Sequence, residues 1–341
     1  MKHHSENDIA VIMLFFNRPE IFRRTFEAVK KSRPSHLFLF QDGARNDGDR
    51  ERMEQCRRIV ADEQIDWECD VQRCYSEKNL GVWEANWQAQ QWGFSLFDKC
   101  VYLEDDSMPS PSFIPFCKEM LDRYEHDPRV MMVAGYNHEG ITKGVPHDYL
   151  FTSVFTVWGW ASWSKVVLKL DAELKVVDDP FNMRQIEEIV RARGDRSDLL
   201  KAMKAHHDNG TKDYEAALWS HILLNNGLSI VPTRNLIRNE GSDADAAHYQ
   251  QEMQTLPRRM RQMLQMPSYE LQWPLRHPEY MVENVEYKER VFRIMAWGHP
   301  WIKVGRSFEE LFLNLRYGNF KAIATAVCKR INKLAGRSDY M

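Results

Sequence analysis

The sequence predicts an α/β protein: a mostly parallel, doubly wound sheet flanked by helices, followed by a helical C-terminal tail. Three observations carry this. Apolar runs of strand length alternate with helical stretches through short loops over roughly the first 135 residues. The run Ile9 to Phe16 is apolar throughout, as a central strand buried on both faces requires. The first, second and fourth strands all end in polar residues, Asn17-Arg18, Asp42 and Glu104-Asp105-Asp106. In a parallel sheet those ends share one edge, where open α/β sheets bind ligands.

In chain order, Asn17-Arg18-Pro19 closes the first strand, and Pro19 suits the first position of a helix carrying Phe22, Phe26 and Val29 at helical spacing. His36 to Phe40 forms a second strand ending in the turn Gln41-Asp42-Gly43. A charged helix over about Asp49 to Ala61 leads to a third strand near Asp70 to Tyr75. The loop Glu77-Lys78-Asn79-Leu80-Gly81 then opens a helix with Trp83, Trp87 and Phe94. The fourth strand delivers Glu104-Asp105-Asp106 and stops, with Pro109 and Pro111 close behind. A helix from Phe113 to Tyr124 and a strand from Val130 to Gly135 follow, then a Gly- and His-rich loop to Asp148.

The second half is less regular. Phe151 to Trp163 is the most aromatic stretch, and reads either as a core strand or, with Gly159 between two indoles, as a shaped pocket. Asp178 to Leu200 reads as a polar helical insertion broken at Gly194. Thr211-Lys212-Asp213-Tyr214 opens a helix ended by Asn226-Gly227. Leu228 to Val231 is a short strand, followed by Asn235 to Asn239 and a loop from Glu240 to His248.

Three adjacent carboxylates repel one another and call for a cation; oxygen-only ligands favour Mg²⁺ or Mn²⁺. Alone, such a triplet reads equally as a solvated acidic turn. There is no Walker A or G-x-G-x-x-G sequence, which argues against P-loop NTPases and NAD enzymes. Six cysteines without a C-x-x-C pair suit free thiols in a reducing cytoplasm. No apolar run approaches a membrane span. The net charge of −3 divides into +7 from Arg290 onward and −10 before it. That pattern does not suggest nucleic acid as a partner, but a tail that touches an anionic surface.

The order of strand to Asn-Arg-Pro, strand to Asp-Gly, a Lys-Asn-x-Gly loop and a strand to Glu-Asp-Asp resembles the GT-A class of nucleotide-sugar-dependent glycosyltransferases. It looks closest to bacterial family-2-like enzymes and relatives of N-acetylglucosaminyltransferase I, whose metal motif is also EDD. The resemblance continues through VWGWASW, KDYEAALW and GLSIVPTRNLIRN to His248. It implies a GT-A catalytic domain over residues 8–285, with a nucleotide-binding half to about 135 and an acceptor and metal half after it, then a basic extension over 286–341.

By that resemblance, Phe16, Asn17 and Arg18 line the nucleotide pocket, Asp42 contacts the base or ribose, and Lys78 and Asn79 stand near the base or pyrophosphate. Asp106 is the metal ligand, supported by Glu104 and Asp105, and His248 completes the shell around Mn²⁺ or Mg²⁺. Asp213 is the general base of an inverting transfer, with Glu215 in reserve; Asp213 reads equally as a helix-start carboxylate. Trp158, Gly159, Trp160 and Trp163 shape the sugar sites, where indoles stack on pyranose faces. Glu240 and Ala247 depart from the pattern, which has an apolar and a hydroxyl residue there. The implied activity is transfer from a nucleotide sugar, UDP first, to a hydroxyl on a surface glycan or lipid-linked acceptor in the cytoplasm. The alternatives are a sugar nucleotidyltransferase, whose early Gly-rich phosphate loop is missing between Phe15 and Glu20, and a non-catalytic glycan-binding module. The aromatic, basic tail from Lys288 reads as helices packed on the body or resting on an anionic membrane.

Overall fold

The computed structural model describes residues 2–192, 198–210, 213–241, 253–325 and 328. Four parallel strands form the first half of its main sheet: β1 (Asn7–Phe15), β2 (Pro34–Gln41), β3 (Asp70–Tyr75) and β4 (Lys99–Glu104). Their order is β3-β2-β1-β4, so β1 is central, and its side chains from Ile9 to Phe15 are buried on both faces. Phe15 pairs with Gln41 and Leu14 with Glu104. The polar residues that follow all three strands therefore emerge level with one another.

Helices α1 (Pro19–Lys31), α2 (Asp47–Ile59) and α3 (Val82–Leu96) connect these strands. Pro19 sits at the start of α1, and Phe22 stacks beneath Phe15 with ring centroids 4.2 Å apart. The side chain of Asn46 caps α2 by accepting from the Asp49 amide. After β4 the chain makes a three-residue strand β5 (Ser107–Pro109), helix α4 (Phe113–Arg123) and strand β6 (Val130–Ala134).

Beyond that the sheet becomes mixed. β7 (Tyr149–Thr152), β8 (Trp160–Trp163) and β9 (Leu228–Pro232) complete the order β3-β2-β1-β4-β8-β6-β9-β7. β8 runs antiparallel to both β4 and β6, while β9 is parallel to β6 and β7 antiparallel to β9. β10 (Ile237–Asn239) pairs antiparallel with β5 in a separate two-stranded ribbon, Asn239 facing Ser107. The short helix α5 (Ser164–Val167) follows β8; α6 (Pro180–Ala192) lies within the expected polar insertion, whereas α7 (Asp198–Asn209) begins at its end and runs past Leu200; α8 (Tyr214–Leu224) precedes β9.

The aromatic stretch is mainly core. Trp160 and Trp163 are fully buried, which corrects their expected place in a sugar pocket. Residues three apart on a strand face opposite sides of the sheet. Trp160 packs against Phe94 and Tyr102, while the Trp163 indole donates to the Leu121 carbonyl of α4. Gly159, at φ +63°, is also core: a β-carbon there would lie 2.6 Å from Ile237 and 3.2 Å from Leu103. It allows close packing rather than shaping a cavity.

After the short helix α9 (Arg258–Leu264), the C-terminal region forms α10 (Val285–Met295) and α11 (Pro300–Arg316). Tyr287, Val291 and Phe292 of α10 share a buried cluster with Ala134, Leu150, Val154 and Val231, so this helix packs on the sheet. Trp297 stacks on Trp219 of α8 with centroids 5.3 Å apart.

Candidate active site

The level ends of β1, β2 and β4 open into a cleft of about 430 Å³. Phe16, Asn17, Arg18, Asp42, Asn79, Glu104, Asp105, Asp106 and Trp158 all line it. A larger cavity, about 750 Å³, lies between His138, Glu139, Met263 and Arg290, but its carboxylate Glu139 is already paired with Arg290 at 2.7 Å. The first cleft is the chemically equipped one.

Arg18 organises its acidic floor. Its guanidinium donates to both carboxylate oxygens of Asp105 and, at 2.9 Å, to Asp106. Burial opposes the charge on Arg18, but the two carboxylates hold it firmly protonated. The Thr25 hydroxyl of α1 donates to the Asp105 carbonyl at 2.7 Å, fixing the turn from beneath. One cation against three acids leaves an excess of negative charge. Burial first, then Asp106 and Asp105, push the Glu104 carboxyl up to about 8. Burial and Asp105 likewise raise Asp106.

The β5–β10 ribbon holds the far side of the turn. The Glu240 amide donates to the Asp106 carbonyl at 2.9 Å, and a β-carbon on Gly241 would lie 2.1 Å from the Asp106 carboxylate. Only glycine fits there without displacing the carboxylate. Glu240, out of pattern in the sequence, has local partners: Arg24 at 2.7 Å and Arg238.

These donors suit a hard divalent cation: an oxygen-only cluster of three adjacent carboxylates against one guanidinium. Among the described residues no group of three or more His, Cys, Asp or Glu is placed to hold a metal. A cation at Asp106 would therefore draw other ligands from phosphates and water, as Mg²⁺ usually does. His248 and Ala247 lie outside the described residues.

Asp42 is a latch. One carboxylate oxygen accepts from the Gly43 and Leu80 amides, both at 2.8 Å. The other accepts from the Asn79 side chain at 2.9 Å and the Gly81 amide at 3.1 Å. A carboxylate offers about four lone-pair sites, and these four donors fill them. Its expected contact with base or ribose gives way to holding the loop that opens α3. Lys78 is exposed and does not line the cleft; its carbonyl instead packs against Gly43. A β-carbon on Gly43 would come within 2.3 Å of the Lys78 carbonyl carbon. Because backbone cannot move aside cheaply, Gly43→Ala is expected to cost about 1–3 kcal/mol of stability and weaken ligand binding at the loop, as thermal melts with and without ligand would show.

Asn17 is engaged with Asp49, donating at 2.5 Å. Arg45 also binds Asp49, and this pairing is the main reason the Asp49 carboxyl falls to about 2. The same guanidinium stands over the Phe16 ring, 5.0 Å from its centroid. Arg45, Trp83, Asn86, Tyr214 and Asn239 line the cleft without having been expected from the sequence. They come from a loop (Arg45), from α3 (Trp83 and Asn86), from α8 and from β10, and no spacing in the chain marks the convergence of these elements.

Of the three indoles, Trp158 alone lines the cleft, braced edge-on by Tyr136 at 4.8 Å. Asp213 caps α8, accepting from the Glu215 amide at 2.9 Å and the Ala216 amide at 3.3 Å, and is not among the lining residues. Glu215, two residues on in the first turn of α8, does line the cleft. Its carboxylate has no hydrogen-bond or ion-pair partner among the described residues. Burial, then Asp213, push it up to about 7. Between it and the acidic floor lies Tyr214, whose hydroxyl points to Glu104 at 3.4 Å.

No family model matches this sequence, and no curated protein matches it. Among solved structures, a mannosyltransferase from Pyrobaculum calidifontis in complex with GDP-Man and Mn²⁺ is similar at 12% identity and a TM-score of 0.32 over 50% of this chain. The chain spans about half the length of that protein, covering 46% of it. A 4-diphosphocytidyl-2C-methyl-D-erythritol synthase from Anaerococcus prevotii is similar at 6% identity and a TM-score of 0.28, over 46% of this chain and 72% of that one. An apo UDP-glucose pyrophosphorylase is similar at 8% identity and a TM-score of 0.33, over 70% and 93%. These are distant likenesses, and the chemistry of the cleft rests on its own residues.

Proposed function

We propose that this protein is a metal-dependent glycosyltransferase that moves a sugar, with inversion, from a nucleoside-diphosphate donor to a hydroxyl acceptor. UDP is the first candidate nucleotide, and the acceptor class is a surface glycan or lipid-linked oligosaccharide. One observation carries the reading: an acidic floor anchored by Arg18 lies in the same cleft as Glu215, a carboxylate with no hydrogen-bond or ion-pair partner among the described residues and an affinity for protons matched to neutral pH.

In this reading the Phe16 ring, backed by the Arg45 guanidinium, offers a face for the base. Trp158 offers its indole to a sugar ring. Asp106 would hold the divalent cation, which when bound neutralises charge on the diphosphate leaving group. Glu215 accepts the proton from the acceptor hydroxyl as that oxygen bonds to the anomeric carbon. The sugar–phosphate bond breaks, and its electron pair leaves with the diphosphate.

The test is a thermal-shift panel of nucleotide sugars with Mn²⁺, on wild type and Asp106→Ala. At least one nucleotide sugar is expected to raise the wild-type Tm, by about 2.7 kcal/mol of added stability at a hundredfold excess over Kd, and much less in the variant. Stabilisation by nucleoside triphosphates but by no nucleotide sugar would instead indicate a nucleotidyltransferase.

A further inference from the structure

Helix α11 has an apolar face that no described residue covers. Trp301, Val304, Phe308, Leu311, Phe312 and Leu315 are 40 to 84% exposed. At 3.6 residues per turn all six fall within an arc of about 100°, and no charged residue of the helix lies inside that arc. The opposite face is fixed to the body: Lys303 pairs with Asp198 at 2.9 Å, Arg306 donates to the Ile294 carbonyl, Glu309 accepts from the Arg258 amide at 2.8 Å, and Asn314 is buried. The helix is thus held in place with its apolar stripe pointing outward. Phe320, 67% exposed, extends the apolar surface past the end of the helix.

The charge that follows this stripe in the sequence selects its occupant. From Arg316 to the C-terminus the sequence carries six Lys or Arg against Asp339 alone. An anionic lipid surface meets both demands, taking aromatic side chains into its acyl boundary and basic ones at its headgroups. No described helix is long and apolar enough to cross a membrane, so the contact is one of lying on the surface.

We propose that the outward face of α11, with Arg316 at its end and Lys321 just beyond, docks this protein on an anionic lipid bilayer. The proposal is independent of the reaction assigned to the cleft.

Flotation of the full chain tests it, using phosphatidylcholine vesicles with or without about one third phosphatidylglycerol. Wild type is expected to float with the anionic vesicles only, and to be released at about 0.5 M salt, where charge attraction is screened within a few ångström. Phe308→Ser with Phe312→Ser should weaken binding at least about tenfold, since burying one phenyl ring is worth more than that factor. An unchanged melting temperature checks that this variant folds. Arg316→Glu with Lys321→Glu keeps the stripe and should abolish the preference for anionic lipid. Failure of wild type to float with anionic vesicles overturns the proposal, as does equal binding to neutral ones. A dimer seen by sedimentation, and broken by the phenylalanine substitutions, would also overturn it by making the face a contact between copies.

Discussion

Glu215→Gln is expected to lower kcat about 10²–10⁴-fold, the usual contribution of a positioned general base, while leaving donor binding nearly unchanged. The pH profile distinguishes this from loss of a structural group. Glu215 accepts a proton only when ionised, so wild-type kcat should rise with pH through about 7, the value to which burial and Asp213 push it. That limb should vanish in the variant. Stability supplies a second readout that needs no substrate. Because the folded carboxyl sits above its ordinary value of 4.5, the native state binds more protons than the unfolded chain between these pH values. Its contribution to stability therefore falls as pH rises through that window, and the glutamine variant should show a flatter dependence. Asp213→Asn is the matching control. Asparagine caps helices about as well as aspartate, so a residue that only caps α8 should tolerate it with activity retained. If Asp213→Asn is inactive and Glu215→Gln active, the proton goes to the other carboxylate.

Arg18→Ala should be the most destabilising substitution in the cleft. Arg18 and Asp106 side chains are each 15% exposed and Asp105 only 6%, so the pairing is largely removed from water. Removing one partner of a buried pair costs about 3–5 kcal/mol because the remaining charge is stranded. The melting temperature should fall by roughly 5–15 °C. The loss should be larger at pH 8 than at pH 5, because protonation relieves carboxylates that have lost their counter-charge. Mn²⁺ should restore more of the melting temperature in this variant than it adds to wild type. If Mn²⁺ stabilises neither protein, Asp106 does not hold a cation.

The strand ends were legible because each depends on a local signal: an apolar run long enough to cross a two-sided core, then abrupt polarity. That signal located Arg18, Asp42 and the Glu104 triplet at one edge. It could not show what those side chains bind. Asp42 is a good ligand by type, yet its oxygens are filled by Gly43, Asn79, Leu80 and Gly81, a closure set by loop conformation. The indoles failed for a different reason. Strand alternation alone puts Trp160 and Trp163 on opposite faces, so they could not both wall one pocket, but the short, antiparallel β8 was not evident from the residues around Gly159. Arg45 and Asn86 were invisible because their place in the cleft follows from where a loop and a helix land in three dimensions.

The latch at Asp42 bears on which positions of its loop can change. Three of its four donors are backbone amides, and Asn79 alone contributes a side chain. Leu80 thus holds the loop through its backbone amide, a donor that every amino acid but proline possesses. The latch therefore ties down the backbone of the loop and leaves the exposed Lys78 side chain open to exchange without loss of the loop's shape.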